Sequence, residues 1–142
     1  MNSDDSNSLL DAACQAQLRA YAPYSKFKVG AAIRARSGNI YAGCNVENAA
    51  FPVGTCAETA AVAAMILAGD QQIAEVVVVG EGRAALAPCG ACRQVLSEFS
   101  DADTRVHIAD RTGFHAVLTL NELLPHSFGR TDLPAPETRI KR

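Results

Sequence analysis

Hydrophobic and polar positions follow two different periods along this chain. Between Ser6 and Tyr21, the residues Leu9, Leu10, Ala13, Cys14, Ala16, Gln17 and Leu18 fall at helical spacing, which predicts a first helix with Ser6 or Ser8 at its cap. Pro23 in "YAPYSKF" pushes its predecessor toward extended geometry and ends that pattern. "FKVGAAIRARSGNIYAGCNVEN" then reads as two strands around the turn Arg36-Ser37-Gly38-Asn39. Cys56 to Leu67 returns to helical spacing and stops at Gly69, while "EVVVVG" is a β-branched run of the kind buried on both faces. Cys89 to Phe99 predicts the next helix. "TRVHIAD" and "FHAVLTL" predict two more strands, and "NELLPHSF" a short helix that stops at Pro125. The order helix, strand, strand, helix, strand, helix, strand, strand, helix predicts an α/β fold, a mixed sheet with helices on both faces. It occupies residues 1–128 as one domain, and residues 129–142, which lack periodicity, are expected to form a mobile tail.

Composition narrows what such a fold does. A chain of 142 residues is long enough to close one real core. A net charge of -2 and a pI near 5.9 leave no electrostatic footprint for nucleic acid or an anionic membrane, and the basic "RIKR" at the C-terminus reads as solvated tail. No segment approaches the ~18 to 20 apolar residues that span a bilayer. The polar "MNSDDSNS" start has neither region of a secretory signal, so a cytoplasmic location is expected. Five cysteines, an odd number, then suit metal binding or packing better than disulfides.

Three of those cysteines carry the chemistry. "PCGAC" sets Cys89 and Cys92 three positions apart, on one face of a helical turn, a spacing that serves a metal, a redox dithiol or packing. Cys56 also heads a helix, where its thiolate meets the positive end of the dipole. Two helix N-termini converging at the end of a sheet bring three sulfurs together, and three protein ligands are the catalytic pattern, which keeps one position open for water. Cys14 and Cys44 read as small buried hydrophobes instead. Glu58 shares the first turn with Cys56. Alone it is an ordinary acid at a helix N-terminus, but beside both cysteine motifs it is placed to take a proton from activated water and return it to a leaving group.

At Cys56-Ala57-Glu58 and Pro88 to Gln94 ("PCGACRQ") the chain resembles the small zinc-dependent cytidine deaminases. "YAPYSKFKVGAA", "AGCNVENAAF" and "ELLPHSF" resemble the same family in the same order, so the likeness covers about Leu9 to Phe128. The resemblance implies a three-layer α/β/α sandwich with a central five-stranded mixed sheet, usually a homotetramer with sites near subunit interfaces. It implies one Zn²⁺ per subunit on Cys56, Cys89 and Cys92, with Glu58 as the proton shuttle. The implied reaction converts cytidine and 2′-deoxycytidine to uridine and deoxyuridine with release of ammonia, as in pyrimidine salvage. Asn45 and Glu47 then hold the ribose hydroxyls, Phe27 packs on the pyrimidine, and the Ala57 backbone reads the base edge. Phe51 matches an aromatic that a neighbouring subunit contributes, where tyrosine is more usual, and Phe128 one that closes the pocket.

From the residues alone, Asn45 and Glu47 share a side of an extended segment and suit a diol, but an Asx-type turn with a solvated glutamate competes and is the stronger reading. Phe27 and Phe128 alone read as core, and His107, His115 and His126 as structural or surface. Thr59 departs from the resemblance, since three-cysteine members commonly have arginine after this glutamate. Zn²⁺ with three thiolates is left with one net negative charge, which weakens it as a Lewis acid. The two helix N-termini supply part of the compensation and Arg93, beside Cys92, is the other candidate. The expectation is a more alkaline rate optimum or slower turnover than in an arginine-bearing relative. The competing functions are a deaminase of another aminopyrimidine nucleoside such as blasticidin S and a catalytically weak, zinc-stabilised family member. A polynucleotide-editing enzyme is disfavoured because no basic or aromatic single-strand track is visible.

Overall fold

The four valines Val76 to Val79 alternate across a strand that is covered on both sides. Val76 and Val78 join one hydrophobic cluster, and Val77 and Val79 another. The computed structural model describes residues 3–82 and 86–134. It contains α1 (Ser3–Leu18), β1 (Gly30–Ala35), β2 (Ile40–Cys44), α2 (Ala57–Leu67), β3 (Ile73–Val79), α3 (Gly90–Glu98), β4 (Arg105–Asp110), β5 (Gly113–Thr119) and α4 (Leu120–Leu123), the order expected from the pattern. Short 3-10 turns occupy Phe51–Val53 and Arg130–Asp132. The sheet runs β2-β1-β3-β4-β5, with β3 and β4 parallel and the other neighbours antiparallel.

The layers follow from the strand alternation. Ala31, Ile33 and Ala35 of β1 face the side where Ala61, Met65 and Leu96 of α2 and α3 pack. Ala32 faces the opposite side, against Leu9 and Ala13 of α1. Helices cover both faces of a five-stranded mixed sheet, which makes the three-layer α/β/α sandwich. Small residues set the spacing. A Cβ on Gly30 would lie 2.0 Å from the Ala13 carbonyl of α1, and one on Gly43 would lie 2.5 Å from both Ala57 O and Ala61 N of α2. Gly43 therefore lets the first turn of α2 rest directly on the edge strand β2.

Helix limits differ from expectation in instructive places. α1 begins at Ser3 rather than at Ser6 or Ser8, because Asp4 and Asp5 stabilise its first turn, and Ser8 lies inside it with its hydroxyl bonded back to Asp5 O. α2 stops as expected at Gly69 (φ +99), where Gly69 N–H donates to Ile66 O and Asp70 N–H to Met65 O. α4 starts at the capping box of Thr119 and Glu122. In the expected tail, Arg130 Nε donates to Glu98 Oε1 at 2.9 Å, while residues 135–142, including "RIKR", lie outside the described residues. Among the described residues no helix is long and apolar enough to cross a membrane.

Candidate active site and metal centre

Cys56 and Cys89 hold equivalent positions in two helices. Each is an N-cap in extended geometry, of α2 and α3 respectively, and neither side chain caps its own helix. The two Sγ atoms are 3.8 Å apart, and Cys92, third residue of α3, completes a group whose sulfurs all lie within 4.8 Å of one another. A tetrahedral zinc with Zn–S of about 2.3 Å places its sulfurs about 3.8 Å apart. A disulfide would need about 2.05 Å. The donor set thus fits zinc in type, number and spacing, with a fourth position left for a non-protein ligand. Cys14 and Cys44 are half-buried and stand outside the group, as do the three histidines. His107 Nε2 lies 2.9 Å from Glu75 Oε1, His115 Nε2 lies 2.6 Å from Asp110 Oδ2, and His126 is exposed.

Without a cation, the electrostatics of the group favour protonated thiols at Cys56 and Cys92. Burial, and after it the Glu58 carboxylate, push the Cys92 thiol far above its ordinary range, and burial pushes Cys56 up as well. Cys89 goes down: burial opposes the shift, but the Cys92 backbone N–H and the Cys92 and Cys56 thiols outweigh it. Thr59 Oγ1 lies 3.6 Å from Cys92 Sγ and favours the Cys92 thiolate, against burial and the neighbouring charges. Three thiolates coexist at these distances only around a positive ion.

Glu58, second residue of α2, is 4% exposed, and the Cys92 thiol donates to its Oε2 at 3.3 Å. Ala57 before it is fully buried, and its N–H belongs to the first-turn set that has no acceptor within the helix.

Beside the sulfurs opens a cleft of about 480 Å³ whose lining includes Tyr24, Asn45, Glu47, Phe51, Thr55 and Cys56. A two-residue bridge builds it. Val46 and Thr55 exchange both backbone hydrogen bonds at 2.9 Å, which lays Asn45 and Glu47 alongside the approach to Cys56. Asn45 Oδ1 accepts from Val29 N–H and its Nδ2 donates to Phe27 O, each at 2.8 Å. Glu47 Oε1 accepts from the N–H groups of Tyr24 and Ser25, both at 3.0 Å. The Ser25 hydroxyl, followed by these N–H groups, holds the Glu47 carboxyl below its usual range. Asn48 does form an Asx turn, accepting from Ala50 N–H at 2.9 Å, but Glu47 is anchored rather than merely solvated.

The aromatic positions divide. Phe51, 74% exposed, stands at the cleft with its ring edge-on to Tyr24 at 5.6 Å. Phe27 is partly exposed and lies outside the cleft lining, although Asn45 holds its carbonyl. Phe128 lines a separate cavity of about 530 Å³ with Arg36, Phe99 and Arg130, its carbonyl accepting from Gln94 Nε2 at 2.9 Å. Within one subunit the structure does not bring Phe128 to the sulfurs. Nor does Arg93 turn to them. Its Nε donates to Pro88 O at 2.7 Å and its Nη1 to Leu123 O at 2.8 Å, so it clamps the loop before Cys89 onto α4. Sequence reasoning missed that clamp, and also the backbone grip of Tyr24 and Ser25 on Glu47. "YAPYSKF" is the segment that held the second of these signals.

A family model described as the cytidine and deoxycytidylate deaminase zinc-binding region matches residues 3–108. The cytidine deaminase of Halalkalibacterium halodurans is 38% identical over 129 residues, covering 91% of this chain and 98% of the relative. That of Mycobacterium tuberculosis is 39% identical over 130 residues, covering 92% and 94%. The crystal structure of cytidine deaminase from Burkholderia pseudomallei superposes with a TM-score of 0.82 at 41% identity, covering 90% of this chain and all of that one (100%). On the family match over residues 3–108 and these identities along nearly the whole chain, the chain belongs to the zinc-binding cytidine and deoxycytidylate deaminase family.

Proposed function

We infer that this protein is a zinc-dependent cytidine deaminase, which hydrolyses cytidine and 2′-deoxycytidine to uridine and 2′-deoxyuridine and releases ammonia. The observation that carries the reading is the position of Glu58: a buried carboxylate 3.3 Å from the sulfur of Cys92, two residues after Cys56, which itself lines the cleft bordered by Asn45 and Glu47. Cys56, Cys89 and Cys92 would hold Zn²⁺, which when bound supplies the Lewis acidity that makes water a nucleophile near neutral pH. Glu58 accepts a proton from that water and delivers it to N3 of the pyrimidine as C4 is attacked. It then carries a second proton to the amino group, so ammonia leaves and the C4 oxygen remains as a carbonyl.

The remaining side chains orient the substrate. Glu47 keeps Oε2 for a ribose hydroxyl while Oε1 is held by Tyr24 and Ser25, and its lowered pKa keeps it an acceptor. Asn45 retains one N–H and one lone pair beyond its bonds to Val29 and Phe27. The Ala57 N–H at the helix start meets the base edge, and Phe27 flanks the ring. Phe51 and Phe128, both exposed here, serve sites shared between subunits of a homotetramer.

The test is an ultraviolet assay with cytidine, 2′-deoxycytidine, cytosine and blasticidin S, alongside zinc quantification. Wild type is expected to carry one zinc per chain and to deaminate both nucleosides. Glu58→Gln is expected to keep its zinc and lose about 10²- to 10⁴-fold in kcat. Wild-type turnover by Glu58→Gln would remove the role given to this carboxylate.

A further inference from the structure

The three thiolates of the centre differ in how their charge is met. Cys56 and Cys89 sit at helix N-caps, at the positive ends of α2 and α3, and are exposed, so solvent reaches them. Cys92 lies one turn inside α3 and is 0% exposed. It also has the Glu58 carboxylate 3.3 Å away, a second negative charge once the sulfur has lost its proton. Arg93, the nearest cation in sequence, has Nε and Nη1 committed to Pro88 and Leu123.

The group that does reach this sulfur is a hydroxyl. Thr59 is third residue of α2 and Cys92 is third residue of α3, so the two face each other across the helix pair, with Thr59 Oγ1 3.6 Å from Cys92 Sγ. A threonine in a helix commonly turns its hydroxyl back to a carbonyl of the preceding turn. Here it points at sulfur instead. While Cys92 is a thiol either atom can be the donor, but a metal-bound thiolate has no proton, so the hydroxyl must donate.

We propose that Thr59 is a positioning residue of the metal centre: its hydroxyl donates to the Cys92 thiolate, ties the first turn of α2 to that of α3, and draws charge from the one ligand that solvent does not reach. One neutral hydrogen bond thus does part of what a nearby cation would do, and the metal keeps more of its Lewis acidity. The proposal rests on the zinc reading above and adds a residue to it.

Cobalt(II) in place of zinc gives a direct readout, because the sulfur-to-cobalt charge-transfer absorption reports electron density on the thiolates of the resting protein, without substrate. Thr59→Val keeps the shape and removes the hydroxyl, and Thr59→Ser keeps the hydroxyl. The expected result is a shift of the band to longer wavelength in Thr59→Val. It should be accompanied by an approximately ten-fold drop in kcat with KM for cytidine within about two-fold, and Thr59→Ser should match wild type. Should the valine variant fail to load cobalt, Thr59→Ala makes the same comparison without the branched methyls. An unshifted band in the fully loaded valine or alanine variant, or a serine variant that behaves like valine, overturns the proposal. A wild type that shows the band but leaves cytidine intact, with the band still shifted in Thr59→Val, would defeat the functional reading and leave this hydrogen bond standing.

Discussion

Asn45 and Glu47 are both polar residues on the rim of one cleft, yet the structure gives them different second duties. Asn45 spends both ends of its amide on the backbone of residues 27 and 29, whereas Glu47 spends one oxygen on Tyr24 and Ser25 and keeps the other. Asn45→Ala would strand the partly buried Val29 N–H, and thermal unfolding should show a loss of about 1 to 3 kcal/mol together with the loss of activity. Glu47→Gln retains an oxygen for the two N–H groups but not the charged acceptor for a hydroxyl. Its kcat/KM for cytidine should fall by about 10²-fold with zinc content unchanged, and the fall should vanish for cytosine, which has no ribose. An equal loss on both substrates would mean that Glu47 does not hold the sugar.

At the scale of elements, the site is two helix starts pressed together on the end of a sheet, and glycine controls how closely they sit. Gly43→Ala and Gly30→Ala both force a Cβ into helix backbone, and each should destabilise the fold by about 1 to 3 kcal/mol. The consequences for the metal differ, because Gly43 touches the turn that carries Cys56, Glu58 and Thr59, while Gly30 touches α1 on the opposite face. Competition with a chelator should show weakened zinc binding in Gly43→Ala alone. The far end of α2 is held by charge. Asp70 Oδ2 accepts from Tyr41 Oη at 2.6 Å and Ser37 Oγ at 2.7 Å, tying the helix end to the β1–β2 hairpin. The Tyr41 hydroxyl, then Ser37, lower the Asp70 pKa, and the same bond to Asp70 raises that of Tyr41. A depressed carboxylate contributes stability above its unfolded pKa of about 3.9 and loses it as pH falls through the folded value. A raised phenol contributes below about 10 and loses it as pH rises through the folded value. Denaturation curves of Asp70→Asn should therefore show its full penalty near neutrality, shrinking below about pH 4.

The whole molecule shows which parts of this design are written locally. Among the described residues, the nine α-helices and strands follow from apolar period and turn residues, and the sulfur cluster follows from the fact that a helix start is visible at both Cys56 and Cys89. What escaped was the direction of long side chains and of the segment after α4. An arginine beside a ligand reads as a charge for the metal, but the carbonyls of Pro88 and of Leu123, the second of them distant in sequence, capture it, and Phe128 lines a cavity other than the cleft. The start of α1 was missed for a smaller reason, since Asp4 and Asp5 extend a helix that the apolar period alone begins later.

Phe51 raises the same question beyond one chain. It stands at the cleft 74% exposed, with Tyr24 at 49% beside it and Val53 at 64% in the same 3-10 turn, so the rim of the site is an apolar surface open to water. A homotetramer with shared sites would cover it and bring a neighbour's aromatic to each substrate. Sedimentation should then give about four times the 14.9 kDa chain mass. Dilution below the dissociation constant should lower kcat per chain while zinc per chain stays constant, because the three cysteines come from one subunit. Phe51→Ala should move that dilution transition to higher protein concentration. A fully active 14.9 kDa species would show instead that one chain completes the site alone.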